Sequence, residues 1–287
     1  MDASIFQDIW DADRDFAGVT AVLAGTPVTA ALKAGGYVVV DPSATGNQSL
    51  LPEAHIPDAK RRAYDLTAVL FDKYVLDQTK PDPNTPDEQA EVNELIEFAY
   101  RSPPMALARA YVEGKFSSPM TDDEWWGYVQ RIWFEKFRMG QNPSLSGFEH
   151  VFLGEQKSAT LNGYHFWYKY YLDETHELDG VPDDLITIVG TDEQPHTPDV
   201  VTLKFRLMAF SYAAKKKIPL FKPVGGFWVG PSPAGLLALG AAAFAHGGQV
   251  VPATIHGVRY KVNVFKDGDG RYLRTCYPEF VGRDGPA

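Results

Sequence analysis

The apolar residues of this 287-residue chain change period partway along it, and no all-helical or all-strand fold satisfies both patterns. In the first half they recur at helical spacing. Ile5-Phe6-Gln7-Asp8-Ile9-Trp10 forms a short amphipathic piece closed by Asp11-Ala12-Asp13-Arg14, and Leu66, Val69, Leu70 and Tyr74 mark a helix over Ala59–Leu76. Two more helices carry start signals. Thr85-Pro86-Asp87-Glu88 supplies a threonine cap, a proline at the first helical position and a glutamate three residues after the cap, predicting a helix that continues to Tyr100. Thr121-Asp122-Asp123-Glu124 repeats the pattern and predicts Trp125–Phe137, with Trp126, Val129, Trp133 and Phe137 near one face. Residues 17–57, rich in Gly, Ala and Pro, read as irregular.

The second half alternates. Val201, Leu203, Phe205 and Leu207 point to one side of a strand over Val200–Leu207, and Leu185–Val189 and Arg259–Phe265 also read as strands. Lys266-Asp267-Gly268-Asp269-Gly270 is a turn that leads back through Arg271–Tyr277, a hairpin. Two helices interrupt this half, a short one over His165–Asp173 and an Ala-rich buried one over 234–245 started by Ser232-Pro233. The expected fold class is therefore α+β. A mainly helical N-terminal lobe (residues 1–143) is followed by a mixed, largely antiparallel β-sheet lobe (residues 144–287).

Composition narrows the setting. Pro223–Val258 contains no Asp, Glu, Lys or Arg, but Pro231, Pro233 and Pro252 interrupt it, and its helical part falls short of the ~20 residues a membrane span needs. The single cysteine, Cys276, has no partner for an internal disulfide, and the Met-Asp-Ala-Ser start lacks an apolar run of signal-peptide length, so a soluble cytoplasmic protein is expected. A net charge of −10 argues against a polyanionic substrate until its distribution is seen. Residues 1–199 hold 15 Lys+Arg and 33 Asp+Glu (net −18), whereas residues 200–287 hold 12 and 4 (net +8). The basic end can attract phosphates while the whole chain stays acidic.

Chemistry concentrates in Ser146–Glu174, which offers two histidines in aromatic settings. His150 lies in Gly147-Phe148-Glu149-His150-Val151-Phe152 and His165 in Gly163-Tyr164-His165-Phe166-Trp167. Two imidazoles brought together can act as general acid and general base near neutral pH, chemistry that suits cleavage of a phosphodiester. These two blocks, in this order and separation, resemble the signature of the EndoU (XendoU) family of poly(U)-specific endoribonucleases. The resemblance extends to Leu220-Phe221-Lys222-Pro223-Val224-Gly225-Gly226 and to Thr275-Cys276-Tyr277-Pro278. Ile9-Trp10-Asp11-Ala12-Asp13 and Ile132-Trp133-Phe134-Glu135-Lys136-Phe137 also fit it, so it covers almost the whole chain, with both lobes forming one EndoU-like unit.

The resemblance implies a mechanism. His165 takes the proton from a ribose 2′-hydroxyl, which attacks the adjacent phosphorus, and His150 protonates the departing 5′-oxygen. Lys222 stabilises the extra negative charge of the transition state. Thr275 hydrogen-bonds a uracil edge and Tyr277 stacks on or orients the nucleotide, as single-stranded RNA recognition commonly requires. Glu149 and Glu155 flank His150 as supporting acids. The implied partner is single-stranded RNA containing uridine, acted on by a monomer. No metal or cofactor is required for the chemistry, although activation by a divalent ion, Mn2+ or Ca2+, is a trait of the family.

Each residue taken singly has a plainer reading. A lone histidine among aromatics is more often a satisfied structural residue, and aromatics at helical spacing are more often core than a stacking platform. Two histidines 15 residues apart without a third ligand make a weak metallohydrolase site. The alternative from another class is an RNA-binding module that keeps the fold without catalysis, which retention of both histidines, Lys222 and Thr275-x-Tyr277 disfavours.

Overall fold

A computed structural model describes residues 4–71, 76–77, 85–139, 142–175, 185–191, 197–211, 214–267 and 269–283. The chain begins with helix α1 (Ser4–Phe16), whose Ile5, Phe6, Ile9 and Trp10 are buried. A small sheet follows: β1 (Thr20–Leu23), the short helix α2 (Ala30–Gly35), β2 (Tyr37–Val40) and β3 (Glu53–His55), with β1 parallel to β2 and β3 antiparallel to it. Residues 17–57 are thus not irregular as expected. Strands of three or four residues are too short to show a period, and these are held by pairing and by burial of Val38 and Val40.

Four helices come next: α3 (Asp58–Phe71), α4 (Pro86–Tyr100), α5 (Pro103–Phe116) and α6 (Asp122–Trp133). Residues 72–75 of the expected first helix lie outside the described residues. The two cap signals act as read: Thr85 accepts from the Glu88 N–H at 3.2 Å, and Thr121 and Glu124 form a reciprocal capping box. The last helix stops four residues before Phe137. The N–H groups of Phe134 and Glu135 both converge on the Gln130 carbonyl, at 2.8 and 2.9 Å, which closes the helix. Phe137 instead opens a small hairpin of β4 (Phe137–Met139) and β5 (Asn142–Leu145), where its ring stacks on Tyr272.

A five-residue π-helical turn (Glu149–Leu153) leads into β6 (Glu155–Lys157) and β7 (Thr160–Asn162), then α7 (Trp167–Thr175). The long strands β9 (Val200–Ser211) and β10 (Lys216–Trp228) follow β8 (Ile186–Thr191) and complete a sheet of order β6-β7-β10-β9-β8. It is mixed, because β7 meets β10 in parallel while the other pairs are antiparallel. After α8 (Pro233–His246), a three-stranded antiparallel sheet of β11 (Val250–Ile255), β12 (Val258–Asp267) and β13 (Tyr272–Arg283) ends the fold. The architecture is α+β, as expected.

Helix α8 is where the two halves meet. Almost every residue of it is buried, and it packs on α1 and α5 as well as on β12 and β13. Trp133 donates its indole N–H to the Leu237 carbonyl at 3.1 Å, and a Cβ at Gly240 would lie 2.2 Å from that indole ring, so glycine is what allows the approach. The helix start is held by Asp13 of α1, which accepts from the Ser232 N–H at 2.7 Å and from its hydroxyl at 2.5 Å. Burial nevertheless pushes the Asp13 carboxyl up to about 6. Among the described residues, no helix is long and apolar enough to cross a membrane.

Candidate active site

The π-helical turn is built from its own polar residues. Glu149 accepts from the Ser146 N–H at 2.5 Å while its own N–H reaches the Ser146 hydroxyl at 3.2 Å, a reciprocal arrangement like a helix capping box. Its other oxygen lies 3.5 Å from Lys136 Nζ. Glu149 therefore shapes the turn that carries His150 and is not among the residues lining the cleft described below.

The segment bearing His165 is tied directly to that turn. The Tyr164 N–H donates to the His150 carbonyl at 2.8 Å and the His165 N–H to the Val151 carbonyl at 2.6 Å. These bonds bring the imidazole centroids to 6.3 Å from each other. The approach demands glycine at 163: its φ is +62°, and a Cβ there would stand 1.9 Å from the His150 carbonyl oxygen. Tyr164, with φ at +65°, shares the left-handed turn and is anchored by a buried hydrogen bond from its hydroxyl to Asp173.

Each histidine has a different environment. His165 Nδ1 lies 2.7 Å from the Gly226 carbonyl, which accepts only from N–H, so the neutral ring carries its proton on Nδ1 and leaves Nε2 with a free lone pair. The Tyr277 ring stacks on it at 4.7 Å with 13° between planes. Burial, then the charges of Lys222 and His150, hold its pKa well below the ordinary histidine value, against the Gly226 hydrogen bond. His150 is also lowered, first by burial, but Glu155 opposes that, its carboxylate 3.3 Å from Nδ1; Lys222 and Arg274 lower it further. One imidazole is thus kept neutral and the other given a counter-ion.

Lys222 is buried on β10 and donates to the Gly163 carbonyl between the two histidine segments. Burial lowers its pKa to about 8, with Glu155 working in the other direction, so it remains mostly cationic at neutral pH. A β-bulge between Lys222 and Gly225 turns this part of the strand. Thr275 and Tyr277 come from β13, and the Thr275 hydroxyl, though buried, has no hydrogen-bond partner among the described residues.

These groups line one cleft of 380 Å³. His150, Glu155, His165, Lys222, Thr275 and Tyr277, all predicted from sequence, are brought together there. Sequence reasoning missed Lys157, Asn162, Phe265 and Arg274, which share the lining. A signal existed for two of them: Arg274 adjoins Thr275, and Lys157 lies two residues after Glu155 on the same strand. The cleft is basic apart from Glu155. Among the described residues there is no group of three or more His, Cys, Asp or Glu able to hold a metal ion. The one carboxylate in the lining is engaged with His150 and faces Lys222, a donor set that does not fit a resident divalent cation.

A family model described as endoribonuclease XendoU matches residues 3–278. The poly(U)-specific endoribonuclease of Xenopus tropicalis is 25% identical over 296 residues, covering 99% of this chain and 94% of that protein. Uridylate-specific endoribonuclease B of Danio rerio is 30% identical over 167 residues, covering 57% and 55%. A solved structure of XendoU, described as a splicing-independent snoRNA-processing endoribonuclease, superposes with a TM-score of 0.71 over 98% of this chain and 97% of that one, at 22% identity, and so shares the fold.

Proposed function

Since the chain belongs to the XendoU endoribonuclease family, we propose that its cleft cleaves single-stranded RNA after uridylates by intramolecular transesterification. His165 Nε2 removes the proton from the 2′-hydroxyl, the 2′-oxygen forms a bond to phosphorus, the bond from phosphorus to the 5′-oxygen breaks, and His150 supplies the proton that the leaving oxygen takes. The ends produced are a 2′,3′-cyclic phosphate and a 5′-hydroxyl. Atoms and charge balance without water or a redox partner.

The single observation that carries the assignment is the anchoring of His165 Nδ1 to the Gly226 carbonyl. It fixes the tautomer whose Nε2 can accept a proton, while the depressed pKa keeps that atom unprotonated at neutral pH. His150, with Glu155 beside Nδ1, is the imidazole of the pair better able to hold a proton. An entering phosphodiester adds a negative charge that raises the proton affinity of both rings, which restores His150 as an acid. Lys222 supplies a positioned cation for charge that develops on the phosphoryl oxygens.

Uridine selection follows from the other wall. The unpartnered Thr275 hydroxyl offers both a donor and an acceptor to a base edge, and Tyr277, held against His165, orients the sugar over the base-catalyst. The names of the Xenopus and Danio relatives support poly(U) or uridylate preference. The test is a short RNA with one internal uridine. Cleavage at that uridine with cyclic phosphate and 5′-hydroxyl ends is expected; random cleavage, or 3′-hydroxyl and 5′-phosphate ends, overturns the scheme.

A further inference from the structure

The outer face of the five-stranded sheet is exposed, basic and aromatic, and it begins at the cleft. Side chains alternate across β9 and β10, so Leu203, Phe205, Leu207 and Leu220 point to the core while Lys204, Arg206, Phe210 and Phe221 point outward. Strand register aligns one row across all five strands. Lys157 of β6 pairs with Thr160 of β7, Thr160 with Phe221 of β10, Phe221 with Arg206 of β9, and Arg206 with Thr187 of β8. Four strand spacings make the row roughly 19 Å long.

We infer that this row is an accessory track for single-stranded RNA, on which nucleotides flanking the scissile uridylate lie with a base on Phe221 and phosphates on Lys157, Arg206 and Lys204. The inference rests on the endoribonuclease reading of the cleft and extends it to the substrate beyond the scissile bond.

Three observations commit the face to RNA. The first is charge: the outward positions of the five strands carry Lys157, Lys204, Arg206 and Lys217, and the one acid on these strands, Glu155, is buried beside His150. Protein-binding faces are depleted of charge at their core and of lysine in particular, whereas this face carries three lysines. The second is the aromatic platform. Phe221 is 38% exposed, with Arg206 6.0 Å from its centroid, and Phe210 and Val189 on the same face are exposed as well. Basic groups around an open aromatic face form the arrangement by which single strands are held without sequence preference. The third is continuity. Lys157 lines the catalytic cleft, and Pro223 and Val224, the residues that follow Phe221 and Lys222, line it too, so a strand leaving the cleft meets the row without a gap.

The experiment compares two unreactive RNAs carrying 2′-deoxyuridine at the scissile position, one trimmed to that residue and its neighbours and one extended on both sides. Wild-type protein is expected to bind the extended RNA more tightly. Phe221→Ala should weaken binding of the extended RNA at least fivefold, the low end of one base–aromatic stack, and leave the trimmed RNA unaffected. Phe221→Trp should keep the affinity, which guards against a mere disturbance of neighbouring Lys222. Arg206→Gln, on another strand, should weaken the extended RNA and lower its salt slope by about one.

Equal binding of both RNAs by the wild type, or variants that leave the extended RNA unaffected, overturns the track and points to a protein partner on this face. Variants that weaken both RNAs equally overturn it too, because the residues then act through the cleft. Failure of the cleft reading itself shows separately, as absence of cleavage of the short ribouridine substrate by wild-type protein.

Discussion

Replacing Glu155 with glutamine asks which histidine is the acid. The substitution keeps the shape of the side chain and removes a charge 3.3 Å from His150 Nδ1, in a site where both residues are buried. An opposite charge at that range raises a histidine pKa by about 1–3 units, so its loss should lower that of His150 by the same amount, or roughly 1.4–4 kcal/mol of imidazolium stabilisation. In the pH profile of kcat/KM, the acid limb reports the group that must be deprotonated and the alkaline limb the group that must be protonated. With His150 as acid, Glu155→Gln moves the alkaline limb down by about 1–3 units and leaves the acid limb in place. Glu155 also raises the pKa of Lys222, which at about 8 can itself shape the alkaline limb. The profile is therefore measured again in a Lys222→Arg background, where the cation does not titrate. An acid limb that moves instead makes His150 the base and reverses the assignment; two unmoved limbs in both backgrounds refute the coupling altogether.

Other outcomes follow from the same geometry. Lys222→Ala should lower single-turnover cleavage far more than binding of a 2′-deoxyuridine RNA, with partial recovery in Lys222→Arg; equal losses in both would make Lys222 a docking residue. Gly163→Ala forces a Cβ toward the His150 carbonyl at a left-handed position and should reduce kcat/KM by about 10²-fold with the near-ultraviolet circular dichroism retained, whereas near-normal activity would show that the two histidines need not be held at this spacing. The Asp13 carboxyl, raised to about 6, binds a proton in the native state before it does in the unfolded one, so its contribution to stability is largest at low pH and falls as pH rises through about 6. Urea denaturation should accordingly show Asp13→Asn losing more stability relative to the parent near pH 4.5 than near pH 7, and the reverse order would contradict this.

The parts of the fold legible in the sequence are those with local causes. The Thr85 and Thr121 caps act within one helical turn, and the alternation of β9 records a strand with one face in the core. The small sheet of β1, β2 and β3 has no such cause, since its strands exist through pairing with distant residues. Helix α5 did leave a trace, Ser102 before Pro103-Pro104, where the Ser102 hydroxyl accepts from the Met105 N–H. In the site, motif blocks identified the residues that line the cleft but not what holds them. That Glu149 braces the turn through Ser146 and that Gly226 selects the His165 tautomer depend on where separate segments meet. Spacing along the chain carries no record of those meetings.

In the proposed reaction the 2′-hydroxyl is the nucleophile and two histidines move its proton. The most direct measurement is single-turnover cleavage of an RNA with one internal uridine, beside the same RNA in which only that residue is 2′-deoxyuridine. Both should be bound with similar affinity, the ribo form should be cut at the uridine, and the deoxy form should stay intact; cleavage of the deoxy form at the same bond would require attack by water and would contradict attack by the 2′-hydroxyl.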